Sequence, residues 1–381
     1  MRPVSASDGR DFVRSVSDKD VMAPLSRGAV RPRRIFIVGV RDPSAKEDAM
    51  RAAVITRLNS AWEFQDLADP EPGPGQVVVR IHACGMCYSD VLVHRGHWPV
   101  RLPIVPGHEP VGEVVALGPG TTTLRVGDRV GVSWMQRGEG RCAACQSWHP
   151  VACPHTTTWM DLGGGYADLM VAWETGCTLL PDGLDYTDAA VAFCAGFTSM
   201  SGLRNAEPRP GERVCVLGVG GLGHMAVQLA AAIGLETVVL TTSPDKAEYA
   251  RELGAAEGVV VGDDPGKALA DAGGADIILA TTTSADLVAR VLSGLRYGGR
   301  LVTMGVTGPL RIDDMTTLLF KQCSIKGSTH NNRSDLVEVL TLMAAGKVRP
   351  RVETYPFSEI NEVLKRVEAG QVRYRAVLTP N

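Results

Sequence analysis

Three groups of residues in this 381-residue chain have types and spacings suited to chemistry. The first is Gly218-Val219-Gly220-Gly221-Leu222-Gly223, a G-x-G-x-x-G run. It follows the apolar stretch Val214-Cys215-Val216-Leu217 and opens a helix expected from His224 to Ile233, with Ala226, Leu229, Ala230 and Ile233 on one face. In that context Gly218 permits a tight turn, Gly220 lets backbone approach a pyrophosphate, and Gly223 lets helix and strand pack closely. The helix start then offers unpaired N–H groups to phosphate. Where an acid would bind the ribose hydroxyls of NAD, about 20 residues on, stands Thr241-Thr242-Ser243-Pro244-Asp245-Lys246. No carboxylate at Thr241 repels a 2′-phosphate, Ser243 has a hydroxyl to donate to one, and Lys246 supplies charge. NADP(H) is therefore expected over NAD(H). The alternative leaves Ser243 a plain helix cap and Lys246 a solvated surface charge.

The second group is Cys142, Cys145 and Cys153, a C-x2-C-x7-C pattern with Glu139 three residues upstream. Four such ligands on one loop close tetrahedrally on zinc and leave no open position, so the site would staple the loop. Three free thiols around an empty loop is the bland alternative. The third group is scattered: Cys87 in Gly85-Met86-Cys87-Tyr88-Ser89-Asp90, His108-Glu109 after Pro106-Gly107, and Cys194 in Phe193-Cys194-Ala195-Gly196-Phe197-Thr198. Spacing alone joins none of these. A lone His beside a Glu is commonly a packed pair, and a lone Cys among alanines is commonly core.

The elements that must carry these groups change character along the chain. From Met50 to about Gly176 the pattern is short strands and turns, with strands expected at Arg51–Ile55, Gln76–Ile81 and Val111–Leu117 and a further one led by Gly127–Val130. Such strands suit a small barrel. Beyond about residue 190, strands alternate with helices, the pattern of a parallel sheet. Strands are expected at Arg213–Leu217, Thr237–Leu240, Ile277–Ala280 and Arg300–Met304, and the last fifty residues lose the alternation and return to the first domain. Residues 1–49 read as an extension without function, in which only residues 34–40 look ordered.

Composition narrows the class. With 45% hydrophobic and 21% charged residues and a net charge of −3, the chain reads as a soluble globular protein. That balance gives no reason to expect nucleic acid or a membrane surface as partner. No apolar run approaches the roughly 18 residues needed to cross a bilayer, and residues 1–20 carry charges throughout, so no secretory leader is expected. Nine unevenly spread cysteines argue for metal or catalysis over a disulfide framework. A cytoplasmic enzyme is the expectation.

Taken together, G-x-C-x-S-D, P-G-H-E, C-x2-C-x7-C, C-A-G-x-T and G-x-G-x-x-G stand in one order over residues 50–381. In this the sequence resembles the medium-chain zinc-dependent alcohol dehydrogenases, most of all their cinnamyl-alcohol-dehydrogenase and NADPH-dependent aldehyde-reductase branch. The resemblance implies an α/β protein with a GroES-like β-barrel catalytic domain (50–190 and 328–381) and a Rossmann domain with a doubly wound parallel sheet (191–327). It implies two zinc ions per chain: a catalytic one on Cys87, His108 and Cys194, with Glu109 as a neighbour, and a structural one on Glu139, Cys142, Cys145 and Cys153. Glu139 departs from the cysteine most members carry. By the same resemblance Ser89 contacts the substrate oxygen and starts a proton relay. Its outer end is open, since Leu92 stands where many members have histidine and His94 lies two residues further on. Thr198 and Met304, of the run Met304-Gly305-Val306, belong beside the nicotinamide, and Arg375 near the pyrophosphate. Trp98 and Trp134 line a pocket for a flat or apolar aldehyde or alcohol, and a homo-oligomer is expected. A reductase of C=N or C=C bonds could use this scaffold, but the retained Cys87, Ser89, His108 and Cys194 favour carbonyl chemistry. A non-enzymatic protein holding NADPH and zinc has no reason to keep an open-position set beside a relay hydroxyl.

Overall fold

The computed structural model describes residues 49–147, 150–305, 308–313 and 315–381. The stretch 34–40 and Val306 lie outside them, as do residues 1–48 of the expected extension.

The long strand Gln76–Met86 is the spine of a seven-stranded sheet. Pro110–Leu117, Leu169–Trp173 and Arg375–Thr379 all pair with it antiparallel. Arg129–Val132 follows on Pro110–Leu117, and Cys177–Leu179 closes that side. Val77, Val79 and Ile81 alternate onto a core shared with Val114, Val130, Tyr166 and Met170, as a half-buried strand requires. The last fifty residues do return here. Arg375–Thr379 lies against Cys84–Met86 of the spine and takes Val352–Pro356 as a parallel neighbour. The first expected strand is found as Ala49–Val54, paired with Glu63–Ala68.

A second sheet has six parallel strands in the order Glu257–Val260, Glu236–Thr241, Arg213–Leu217, Ala275–Ala280, Leu295–Thr303 and Ser324–Gly327. Arg213–Leu217 is buried at every position. Val214 and Val216 enter the core on one face while Cys215 and Leu217 enter the core on the other, the burial expected of a strand covered on both sides. The order reverses beside this strand, so the crevice at its C-terminal end is a ligand site by topology. Leu295–Thr303 begins five residues before the expected Arg300. Its register shifts between Ala275 and Ile277 of the neighbouring strand, so Tyr297-Gly298-Gly299, ahead of the expected strand, is carried inside it. The helix after the glycine run spans Gly223–Ala232 and stops before Gly234, whose φ of 86° ends it.

Candidate active site

Each member of the scattered set is held by a different element. Cys87 is the N-cap of the short helix Tyr88–His94, and its N–H donates to Asp90 Oδ2 at 2.8 Å. His108 and Glu109 end the loop that leads into Pro110–Leu117, where Gly107 takes a φ of 102°. Cys194 sits in a π-helical turn, Ala192–Gly196, between the helices Tyr186–Val191 and Phe197–Asn205. Such bulges re-aim a side chain that a regular helix would point elsewhere. Chain segments as much as 107 residues apart thereby bring ligand atoms of Cys87, His108, Glu109 and Cys194 within 4.8 Å of one another, all buried.

The electrostatics of this cluster suit a cation. Cys194 Sγ donates to Cys87 Sγ at 3.7 Å, and this bond holds the Cys87 thiol well below its usual range while Cys194 is pushed up. Burial opposes charge on His108, yet Asp90, Cys87 and Glu109 together raise its imidazole to about 10. Burial likewise lifts the Glu109 carboxyl to about 7 against the pull of Arg375. Both His108 ring nitrogens are buried without a hydrogen bond among the described residues. Nδ1 lies 3.5 Å from Asp90 Oδ1, which orients the ring and leaves Nε2 for an ion. Two thiols and an orphaned imidazole nitrogen are a zinc donor set with room for a fourth ligand, and the residues fit that metal.

The glycine turn faces the same cavity, which encloses about 1230 Å³. Gly218 has a φ of 95°, a Cβ on Gly220 would meet nothing within 4 Å, and one on Gly223 would lie 2.0 Å from the Gly218 carbonyl oxygen. The turn thus bends, approaches and packs where each glycine stands. Gly221 and Leu222 also line the cavity, and Leu222 is fixed by Ser199 Oγ, which donates to its carbonyl at 3.2 Å. Thr198 and Met304 line it beside the buried cysteine turn. Thr241, Thr242, Lys246 and Arg373 line it as well, with Lys246 near Arg373. Ser243 does not line the cavity; it is the N-cap of the helix Pro244–Glu252, and its N–H donates to Thr241 Oγ1 at 3.3 Å. Of these two neighbours, Thr242 lines the cavity and Ser243 does not. Arg375 is buried, donates through Nε to Glu109 Oε2 at 3.2 Å, and abuts Gly221.

Aromatic rings wall the cavity above the cluster. Trp134 stands edge-on to His108 at 5.0 Å, and Trp98 edge-on to Trp134 at 5.1 Å. Ser89 Oγ is 3.6 Å from Cys87 Sγ. His94 is turned away from the cavity: its Nδ1 accepts from Trp62 Nε1 at 3.1 Å, while Leu92 lines the wall.

The second cysteine group also assembles, with the thiols of Cys142, Cys145 and Cys153 within 4.8 Å of each other. Glu139 does not join them as expected. Its carboxylate lies 3.4 Å from Arg141 Nε and 3.8 Å from His155 Nε2. Its backbone N–H instead donates to Cys153 Sγ at 3.5 Å. That bond and one from His155 N–H lower the Cys153 thiol against the burial that would raise it.

Sequence reasoning missed four residues. Asp90 closes the G-x-C-x-S-D motif, the signal that could have found it. Tyr166 donates to Gly85 O at 3.0 Å and faces Asp90. Trp159 is buried, in contact with both Trp134 and His108. His330 stacks on Phe197 at 4.3 Å and lines the cavity, and burial lowers its pKa to about 4.

Comparison with known proteins gives the class. Residues 73–182 match the alcohol dehydrogenase GroES-like domain, and residues 221–345 the zinc-binding dehydrogenase domain. An alcohol dehydrogenase of Geobacillus stearothermophilus is 38% identical over 335 residues, covering 86% of this chain and 98% of the relative. The crystal structure of the alcohol dehydrogenase from Aeropyrum pernix superposes with a TM-score of 0.81 at 30% identity, over 87% of this chain and 100% of that one. A cinnamyl alcohol dehydrogenase from Sorghum bicolor matches with a TM-score of 0.79 at 27% identity, over 87% and 97%. The chain belongs to the medium-chain zinc-dependent alcohol dehydrogenase family and has its GroES-like and dinucleotide-binding folds. It is an oxidoreductase of the alcohol–carbonyl class.

Proposed function

We propose that the protein moves hydride between NADP(H) and a small alcohol–aldehyde pair, using one catalytic zinc, and that a second zinc ties the cysteine loop. The observation that carries this is the convergence of Cys87, His108 and Cys194 on the wall of the cavity that also receives the glycine turn. Zinc there supplies a Lewis acid for the oxygen of the reacting carbonyl or alcohol. Cys87 and Cys194 as thiolates with His108 neutral would hold the ion in a set of zero net charge, which would leave it more electrophilic than three thiolates would. Asp90 holds His108 in one orientation. Ser89 passes the proton between the substrate oxygen and solvent, and His94, tied to Trp62, takes no part. Thr198 and Met304 bound the nicotinamide, the glycine turn and Arg375 the pyrophosphate.

The preference for NADP(H) is supported by Thr241 in place of an acid, with Lys246 and Arg373 both lining the cavity. Burial and the nearby Arg373 both lower the Lys246 pKa, a sign of cations crowded where a phosphate would sit. Trp98 and Trp134 suit a flat or apolar aldehyde. The chain divides into a catalytic part at 50–190 and 328–381 and a nucleotide part at 191–327, works in the cytoplasm, and assembles as a homo-oligomer. The test is a panel of aromatic and aliphatic aldehydes with NADPH and NADH in turn. Reduction is expected with NADPH at the higher kcat/KM. A preference for NADH removes the Thr241 argument, and no reduction of any aldehyde removes the carbonyl chemistry.

A further inference from the structure

The run Arg373-Tyr374-Arg375 is anchored to the catalytic sheet through its backbone, and all three residues line the cavity. The Arg373 N–H donates to Glu353 Oε1 at 2.7 Å. The N–H groups of Tyr374 and Arg375 both donate to the Arg351 carbonyl, at 3.1 and 3.2 Å. Glu353 is itself held by Arg366, whose Nη2 donates to Oε2 at 3.1 Å.

The buried ring of Tyr374 meets two others, and these belong to the two helices on the nucleotide side. It lies nearly parallel to His224 of Gly223–Ala232, with centroids 5.6 Å apart and planes at 18°. It also stacks on Tyr249 of Pro244–Glu252, at 4.7 Å and 6°. The Arg351 guanidinium lies over the Tyr249 ring at 5.3 Å. Aromatic pairs at such separations prefer particular arrangements, so the contacts fix distance and tilt as well as burying area.

Each ring is tied closely to a group placed to hold the nucleotide. The His224 N–H donates to Gly220 O at 3.0 Å, and its Nδ1 lies 3.2 Å from the same oxygen. The Tyr374 carbonyl oxygen would lie 3.4 Å from a Cβ placed on Gly221. Tyr249 stands three residues after Lys246, on the same face of their helix, and Arg373 is the residue before Tyr374. The stack of Tyr249 on Tyr374 therefore sets how the turn bearing Lys246 stands to Arg373.

We propose that Tyr374 is a positioning residue for the cofactor. Its ring holds the glycine turn and the Lys246 helix in one fixed relation to the run carrying Arg373 and Arg375, and the preference for NADPH over NADH depends on that relation. This rests on the NADP(H) reading above and names the residue that enforces it. NADH has no 2′-phosphate to engage Lys246 and Arg373, so it loses less when the stack is loosened.

The test titrates the full zinc-loaded chain with NADPH and NADH and reads each Kd from quenching of tryptophan fluorescence, without turnover. The ratio of the two Kd values is taken on one protein at a time, which cancels any misfolded fraction. The wild type is expected to bind NADPH more tightly. In Tyr374→Leu the Kd for NADPH should rise about three- to tenfold, as loss of a stacked aromatic contact gives. The rise for NADH should be smaller, so the ratio falls toward unity. Tyr249→Leu should lower the ratio while NADH binding stays near the wild-type value. Tyr374→Phe keeps the ring and should keep the ratio. A ratio retained in either leucine variant reduces the stack to plain packing and overturns the assignment, while NADP(H) use still stands. An equal loss in Tyr374→Phe gives the effect to the hydroxyl and overturns it too. A wild type that binds NADH more tightly overturns the NADP(H) reading and this inference with it.

Discussion

At the scale of single residues, the zinc set separates what a sequence carries from what only folding supplies. Cys87, His108 and Cys194 were legible because each lies in a short motif whose neighbours are themselves constrained. Asp90 must cap the helix that starts after Cys87, and Gly107 must adopt the positive φ that turns the chain at His108. Spacing alone could not join them, because their meeting depends on a spine strand, a loop and a helical bulge contributed by separate stretches. Trp159 stayed silent for the same reason, since it acts on side chains distant in sequence. Asp90 had its motif as a signal, but its contact with His108 only folding supplies. Two predictions belong here. Cys87→Ser is expected to abolish aldehyde reduction while NADPH still binds, as read by quenching of tryptophan fluorescence; loss of both together assigns Cys87 to folding instead. Asp90→Asn keeps the shape of the cap but removes the charge beside His108 Nδ1. Zinc affinity or kcat should fall by about 10–100-fold, the usual effect of removing such a supporting carboxylate. Undiminished metal binding and turnover rule out that role.

At the scale of elements, the parallel strands were readable where burial is complete. Arg213–Leu217 is apolar on both faces and lies as expected, because a strand between two helix layers has no solvent face to encode. The short strands Met135–Arg137 and Thr157–Thr158 leave no period to detect, and the glycines within Leu295–Thr303 disguise a strand as a turn. On the glycine-turn helix, His224 is buried, its Nδ1 lies 3.2 Å from Gly220 O, and burial lowers its pKa to about 4. In the unfolded chain an ordinary histidine takes up its proton near pH 6.5. The unfolded state therefore binds more protons between these values, and stability falls as pH drops from about 6.5 to about 4. The full loss is about 3 kcal/mol. His224→Asn keeps a donor for Gly220 without the titration, so its denaturant midpoint should fall less than the wild type's over that window. Parallel curves would show that His224 is not the group responsible. The cysteine loop gives a third element its own test. Cys145→Ser should lower zinc content by about one per chain, and Glu139→Ala should not, since its carboxylate faces Arg141 and His155. Equal loss in both restores Glu139 as a ligand.

At the scale of the whole molecule, the returning C-terminal strand makes the two sheets answer to one site. Arg375 begins a strand of the seven-stranded sheet, yet its side chain lies between Gly221 of the nucleotide turn and Glu109 beside the zinc set. The pair is fully buried, so its partners are worth far more together than apart: removing one leaves a bare charge in a low dielectric. Arg375→Gln alone is therefore expected to cost about 3–5 kcal/mol of unfolding free energy. Glu109→Gln alone should also destabilise, by stranding the guanidinium. The double variant has no charge to strand and should recover much of that loss, giving a coupling well above the roughly 0.5 kcal/mol seen for independent sites. Urea unfolding of the four proteins measures it directly. The same single change should weaken NADPH binding, because the side chain that abuts Gly221 is gone. If the two losses simply add, Arg375 and Glu109 act separately, and the nucleotide turn and the zinc set are not joined through them.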